Sequence, residues 1–461
     1  MRVKSNSTII VGGGLAGLAA TTALASRRMK VTLLEARPRL GGRASSFNDP
    51  ASGQLLDACQ HVSMGCCTNL HHFFASLGVA DFLEPQHTLW FMTPDRRVSR
   101  FRRDPWPAPF HLGRALASSH YLSRGEKLRI GWGLAMMMRM PKDADPPLLE
   151  WLLNHRQTPR TIDRFWGIVL ISALNESVDR VGFKYARKVF KDGFLTHRDG
   201  FLVEVPRVPL GRLYGEELRG WLSQHNVTVE ENAAVRTVVP DNDGVTVILR
   251  DGRAMTADNV VLAVPFDRVL DLLPKAIAET PFFARISQIQ PSPITSLHLW
   301  FDREVFDYPH VVLVDCLGQW VFRRDNGYVQ IVVSAARNLK GVGREEIERR
   351  VVEEIQSLFP KAAAATLLRS KVVTEHTATF SAVPGVDALR PPQATPIPRL
   401  FLAGDWTATG WPATMEGAVR SGYLAAEAML YVPKPSGSGN ASLTRSLTVA
   451  ARERFVVADL V

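Results

Sequence analysis

Three glycines and one carboxylate near the start of the chain are spaced to hold a dinucleotide. Gly12, Gly14 and Gly17 form a G-x-G-x-x-G unit enclosing Gly13 and Ala16, and Glu35 follows eighteen residues after Gly17. In such a unit the first glycine permits a tight turn and the second lets the main chain approach a pyrophosphate. The third lets a helix pack closely on a strand. The N-terminus of that helix offers free N–H groups and a partial positive charge to phosphate. A carboxylate about twenty residues further on accepts hydrogen bonds from ribose hydroxyls. Taken alone a glycine cluster is a turn; the order strand, glycines, helix, strand, acid is what points to a nucleotide.

Elements must hold these residues in place. Thr8-Ile9-Ile10-Val11 is a β-branched run too short for a core helix, and it reads as a buried strand. Ala16 to Ser26 reads as a small-residue helix, and Val31-Thr32-Leu33-Leu34 as a second strand ending on Glu35. Ala36 and Arg37 then lead to Gly41-Gly42-Arg43, where a second glycine pair lets the backbone pass close to a bound cofactor. Arg43 is placed to neutralise phosphate as a charge-assisted partner. Over 350 residues later, Leu400-Phe401-Leu402-Ala403-Gly404-Asp405 reads as another buried strand, and Gly417-Ala418 open a helix running to about Leu430.

The chain between these ends changes character. Pro105 to Phe110 is proline- and aromatic-rich and reads as rigid and extended, and helices are expected over 111–122, 123–140, 146–155 and 162–175. Met136, Met137 and Met138 suit either core or the lip of an apolar tunnel. A short helix is expected over 216–223. Strands follow over 228–231, 235–240, 245–250 and 259–264, as a meander rejoining the nucleotide sheet. Residues 294–301 and 327–334 read as strands of a second sheet, and 345–358 as a charged amphipathic helix. The Pro/Gly/Ser-rich stretch from Pro433 reads as a linker to a flexible tail, 433–461.

Composition narrows the classes. With 461 residues the chain can build two or three cored domains, and its net charge of +10 suits an anionic membrane surface. No aromatic-interleaved basic stripe and no zinc spacing occur, so neither a nucleic-acid partner nor a metal is expected. Four cysteines without a C-x-x-C argue against a disulfide scaffold, and Cys66-Cys67 read as inert buried thiols in a reducing cytoplasm. The first residues pass straight into the nucleotide strand, leaving no room for a secretory signal. No apolar run approaches the roughly 20 residues needed to span a bilayer.

The two glycine-rich ends together resemble the flavin amine oxidase and phytoene desaturase superfamily, over about residues 8–430. Its N-terminal fingerprint of glycines, acid and G-G-R matches Gly12 to Arg43, and its C-terminal flavin signature matches Gly404 to Gly422. The resemblance implies FAD as cofactor and an α/β fold: a discontinuous Rossmann-type FAD-binding domain with an inserted α+β, helix-rich substrate domain. The expected division is FAD domain 1–90, substrate domain 91–208, FAD domain 209–290, substrate domain 291–385 and FAD domain 386–432. It implies that Gln60 lies by the flavin loop, that Val235 holds the adenine through its backbone, and that Asp405 holds a ribityl hydroxyl or a pyrophosphate-bound water. Met415, Gly417 and Ala418 would face the flavin edge, where the helix dipole favours the charge of the reduced ring. Asp57, Cys59 and His61 match a family segment leading a loop toward the flavin, although Cys59 stands where glycine is usual.

Within the superfamily, amine oxidases carry an aromatic residue just before Met-Glu-Gly-Ala as part of an amine cage, and here that position is Thr414. The stretches Gly404–Val419, Gln60–Asn69 and Phe165–Asn175 resemble instead the squalene-associated, hydroxysqualene dehydroxylase branch. That likeness implies reductive loss of an allylic hydroxyl from a polyprenoid lipid substrate. His61 would be the first candidate to deliver the proton, Asp57 the second, with Trp166, Trp411 and Met138 as substrate walls and Glu416 fixing the C-terminal loop. It also implies peripheral attachment to the cytoplasmic face of the inner membrane and contact with the enzymes that supply hydroxysqualene. The rival expectations are a carotenoid or phytoene-type desaturase, then an amine or protoporphyrinogen oxidase, then a non-catalytic polyprene carrier.

Overall fold

The computed structural model describes residues 7–241, 243–324 and 327–430; the expected linker and tail lie outside them. Five parallel strands form the nucleotide sheet, in the order Thr228–Glu230, Lys30–Leu34, Ser7–Val11, Asn259–Leu262, Leu400–Leu402. Helix Leu15–Ala25 crosses between the first two strands of the chain, and all eleven of its residues are buried. Small side chains make that possible, because the helix is covered by the sheet on one side and by helix Met415–Leu430 on the other. A Cβ on Gly422 would lie 2.2 Å from the Ala16 carbonyl oxygen, so this crossing admits no side chain.

The expected meander divides. Thr228–Glu230 and Asn259–Leu262 do join the parallel sheet, but Val235–Pro240 and Val245–Leu249 pair with a further strand, Ala254–Ala257, in a separate antiparallel sheet. Short turns force this. Asp241 accepts from the Asp243 and Gly244 N–H groups, and Gly252 sits at φ +92°, so both connections reverse the chain locally. Parallel neighbours would need a long crossover.

The second large sheet has seven strands: Leu367–Phe380, Pro291–Phe301, Tyr328–Val333, Trp320–Arg323, His310–Leu313, Leu89–Met92 and Val98–Phe101. The division expected at residue 90 therefore falls inside a strand, and 89–101 belongs with this second sheet. One face carries Leu297, Leu299, Val329 and Ile331 and packs on helix Arg344–Leu358 through Ile347, Val351 and Ile355. The register places His298, Gln330, Phe322 and His310 in one row on the opposite face.

The helical insert is built on a core of Met137, Leu148, Trp151, Leu152, Trp166, Leu170, Phe183 and Phe190. Helix Arg124–Arg139 starts at a capping box in which Ser123 and Glu126 satisfy each other's backbone N–H. Residues 162–174 form one helix whose first turn, Ile162–Gly167, is π-wound. The helix expected over 111–122 shrinks to Gly113–Ser118, because Ser119 is extended and its hydroxyl bonds back to the Ala115 carbonyl.

Candidate active site

The glycine unit makes the cradle its spacing predicts. Gly12 adopts φ +109°, and a Cβ there would lie 2.5 Å from the Ala263 carbonyl oxygen. A Cβ on Gly17 would lie 1.9 Å from the Gly12 carbonyl oxygen, so the helix start and the strand end touch backbone to backbone. Gly14 and Gly41 form an isolated parallel bridge, and Gly42 packs against Gly14, bringing Ala16 and the G-G-R turn to the same helix N-terminus. Glu35 is buried, accepting from the Gly13 N–H at 2.7 Å and the Arg37 N–H at 2.8 Å. A carboxylate with one backbone bond per oxygen keeps lone pairs for a pair of ribose hydroxyls. Ala36 follows it, and Val235 is buried close by, where the Ala233 N–H donates to the Glu35 carbonyl.

The C-terminal segment meets this cradle through one ion pair. Arg43 Nη2 lies 2.5 Å from Asp405 Oδ1, and its Nη1 donates to the Ala378 carbonyl. Burial lowers the Arg43 pKa, but the adjacent Asp405 carboxylate outweighs it and the net shift is upward. Gly404 stands at φ +151° with its N–H donating to Ser421 Oγ at 2.8 Å. Thr414 Oγ1 accepts from the Gly417 N–H at 3.1 Å, and its carbonyl accepts from Ala418, so Thr414 caps helix Met415–Leu430.

Glu416, completely buried, belongs to a different task. Its carboxylate accepts from the Asn69 side chain at 2.6 Å and from the Asn69 and Leu70 N–H groups, capping helix Thr68–Ser76. Burial pushes its carboxyl up, against the lowering effect of these bonds. His71 and His72 are helix-face residues paired with Glu204 and Tyr423. Cys66 and Cys67 are only half-buried, which corrects the expectation of buried thiols; Cys67 is held protonated by its contact with Cys66 and by burial.

The loop Asp57–His61 is fixed from three sides. Asp57 is buried, accepting from Ser46 Oγ at 2.5 Å and the Leu210 N–H at 2.9 Å, while its second oxygen lies 3.8 Å from Arg324. Gln60 accepts from Arg324 at 3.0 Å, and Gln330 of the seven-stranded sheet reaches the Asp57 carbonyl at 3.5 Å. Burial pushes the Cys59 thiol up to about 12, so a compact, uncharged side chain occupies the usual glycine position. His61 Nδ1 donates to the Cys59 carbonyl at 2.9 Å, which leaves Nε2 as the nitrogen able to gain a proton. Burial lowers the His61 pKa below its ordinary 6.5, against the raising effects of the Cys59 carbonyl and Asp57.

Two residues that sequence reasoning missed organise this site. Arg390, almost entirely buried, donates to the Asp405 carbonyl at 2.9 Å, the Thr407 carbonyl at 2.5 Å and Thr409 Oγ1 at 2.9 Å. It also pairs with Asp387 and Tyr185, so one guanidinium shapes the whole 405–409 loop. Arg324 does the same for Gln60 and Asp57. Of the three expected substrate walls, Trp411 remains half-exposed, its ring 4.1 Å from Lys188 Nζ. Trp166 is instead a core residue, bonded to Gln157 at 2.9 Å and packed on Phe165 and Phe190, and Met138 packs against the same core. Large apolar side chains at helical spacing satisfied the insert's core before they could wall a cleft.

A nucleotide sheet of this order, joined at both ends of the chain to a cofactor cradle and covered by an inserted sheet, defines an FAD-binding oxidoreductase. The residues fit FAD: backbone approaches at Gly12 and Gly17 that exclude a Cβ, a buried carboxylate with lone pairs left for hydroxyls, and a helix N-terminus from each end of the chain. The chain belongs to the flavin containing amine oxidoreductase family, whose profile matches residues 15–430. It is 29% identical to the 15-cis-phytoene desaturase of an Oncidium hybrid cultivar, over 93% of this chain and 78% of that one. It is 28% identical to the 15-cis-phytoene desaturase of Synechococcus elongatus, over 91% of this chain and 95% of that one. Its fold is similar to the crystal structure of a putative protoporphyrinogen oxidase from an Exiguobacterium species. There the TM-score is 0.68 at 16% identity, covering 93% of this chain and 99% of that one.

Proposed function

We propose that the chain uses reduced FAD to remove the allylic hydroxyl of hydroxysqualene, giving squalene and water. The observation that carries this reading is the Gly404–Val419 segment, with its likeness to the squalene-associated branch. In it Thr414 is used as a helix cap where an amine-oxidising relative presents an aromatic face. A polyprene substrate is supported by the likeness to phytoene and zeta-carotene desaturases over at least 91% of the chain. The reaction balances: hydroxysqualene and FADH2 give squalene, FAD and water.

FAD, when bound and reduced, supplies the hydride that replaces the hydroxyl. The chain has three tasks: to hold the polyprene, to keep water from the allylic cation, and to protonate the departing oxygen. His61 is the residue we assign to the proton. Its Nδ1–H is committed to the Cys59 carbonyl, so a proton taken up on Nε2 is the one it can give. A lowered pKa makes that protonated form scarce near neutrality and strongly acidic when it forms. Asp57 holds the loop, through Ser46 and the Leu210 N–H, rather than donating.

The test is anaerobic. Flavin in the purified protein is reduced with dithionite, hydroxysqualene is added, and flavin absorbance and extracted lipid are followed together. Reoxidation with squalene in proportion is expected; flavin that stays reduced overturns the reading. The desaturase names of the relatives favour a second reading, in which oxidised enzyme dehydrogenates a phytoene-like polyprene. Formation of that dehydrogenated product would establish it.

A further inference from the structure

Four large apolar side chains stand in solvent on the helical insert: Trp106 is 66% exposed, Phe110 72%, Leu128 77% and Trp132 49%. We propose that they form, with the arginines around them, a face that docks on an anionic lipid bilayer. The inference does not depend on which polyprene the flavin site takes.

Helix Arg124–Arg139 turns Ile130, Gly133 and Met137 inward. Arg124, Leu128, Trp132, Ala135 and Arg139 are exposed, and their spacing of three and four residues makes one outward stripe. The apolar middle of that stripe is bracketed by a guanidinium at each end. Trp106 and Phe110 lie on a loop closed by two backbone bonds, Asp104 N–H to the His111 carbonyl at 2.8 Å and Phe110 N–H to the Pro107 carbonyl at 2.9 Å. The loop runs into helix Gly113–Ser118, whose Ala117 carbonyl accepts from Lys127 Nζ at 2.6 Å. Loop, short helix and long helix thus share one outer surface.

Charge says what covers it. Residues 102–142, the loop and the two helices, contain six arginines and two lysines against Asp104 and Glu126, a net +6. The two carboxylates of this stretch are already engaged, Glu126 by Arg160 at 3.0 Å and Asp104 by Arg114 at 3.9 Å. Tryptophan, phenylalanine and leucine projecting between arginines match the boundary of a bilayer. Their rings and methyls enter the acyl layer while guanidinium groups stay with the phosphates. Among the described residues no helix is long and apolar enough to cross a membrane, so the contact would be one of surface insertion.

The experiment uses the FAD-loaded full chain and co-sedimentation with phosphatidylcholine vesicles, with or without roughly a third phosphatidylglycerol. Binding to the anionic vesicles is expected, about tenfold or more tighter than to neutral ones, and weakened by high salt. The double variants Leu128→Ser/Trp132→Ser, Trp106→Ser/Phe110→Ser and Arg124→Glu/Arg139→Glu should each lose about tenfold. Their flavin content should stay unchanged, since none of these residues enters the cofactor cradle. Failure to bind anionic vesicles, equal binding to neutral ones, or variants that bind like the parent would each overturn the proposal. Loss of vesicle binding in the variants, with flavin content and turnover in detergent unchanged, would support it; vesicle binding unchanged in the variants would sink it while leaving the reaction standing.

Discussion

Arg43 and Asp405 are 362 positions apart in the chain and meet at 2.5 Å. The aspartate side chain is 6% exposed and the arginine 28%, so the pair is held mostly out of water where the two ends of the cofactor cradle join. Each residue also answers a need of the other. Without the guanidinium a buried carboxylate has no counter-charge; without the carboxylate the guanidinium keeps only its bond to the Ala378 carbonyl.

Arg43→Met should therefore lose FAD and cost about 2 to 4 kcal/mol of stability, because it strands Asp405. Asp405→Asn should cost less, since an amide oxygen can still accept from Arg43. Flavin absorbance relative to protein, with urea unfolding of both variants, checks the order. Equal effects would mean that loss of Arg43 does not strand Asp405.

His61 gives a pH prediction whose sign separates the two readings of the reaction. If it supplies the proton, turnover rises as pH falls from 6.5 through its lowered pKa, and this rise disappears in His61→Ala while FAD stays bound. If a neutral His61 accepts a proton, as desaturation would require, turnover falls over the same range. We expect the rise, with His61→Ala slower by about a hundredfold. Rates of flavin reoxidation by hydroxysqualene, and of flavin reduction by a phytoene-like polyprene, each followed from pH 5 to 8, decide between them.

Glu416 should make the fold less stable as pH rises. Its folded pKa is above the ordinary 4.5, so the native state binds the proton more tightly than the unfolded chain does. Stability is then lost as pH climbs from the ordinary value through the raised one. Glu416→Gln sets an NH2 against an N–H donor and should cost about 1 to 3 kcal/mol. Melting temperatures at pH 5 and pH 8 should show the gap between parent and variant narrowing at the higher pH.

Two glycines of the same type should respond in opposite ways. A Cβ at Gly422 meets the Ala16 carbonyl oxygen at 2.2 Å, so Gly422→Ala must separate two packed helices and should lower both melting temperature and FAD content. Gly220, inside helix Leu218–Gln224, has open space where its Cβ would stand. Gly220→Ala should stabilise by about 0.5 to 1 kcal/mol. Thermal melts of the two variants side by side test the contrast.

Much of the cofactor site could be read from residues because its requirements are local. The Gly12–Glu35 unit and the Leu400–Asp405 strand carry their strands, turns and helix starts in consecutive residue types. The seven-stranded sheet could not be read in the same way. Leu89–Met92 pairs in parallel with His310–Leu313, and nothing within either short stretch encodes a partner more than 200 residues away. Leu367–Phe380 was missed because charged side chains such as Arg369 and Lys371, which reach across to Asp49, break its apolar alternation. Arg390 sits beside Pro391 in a loop without period, and its role exists only once Tyr185, Asp387 and the 405–409 loop surround it. Trp166 misled for the opposite reason, since a large ring reads the same whether it faces a cleft or a core.

The crossing of the first helix with the last sets an order of events in the cell. A ribosome adds residues at about 5 to 20 per second, so Gly17 emerges roughly 20 to 80 seconds before Gly422 does. For most of that interval the nucleotide sheet lacks its fifth strand and its covering helix, and Arg43 has no Asp405 carboxylate to meet. The cradle is therefore complete only once the Leu400–Leu430 segment has been made, and a flavin that needs both halves of it has them only from then on.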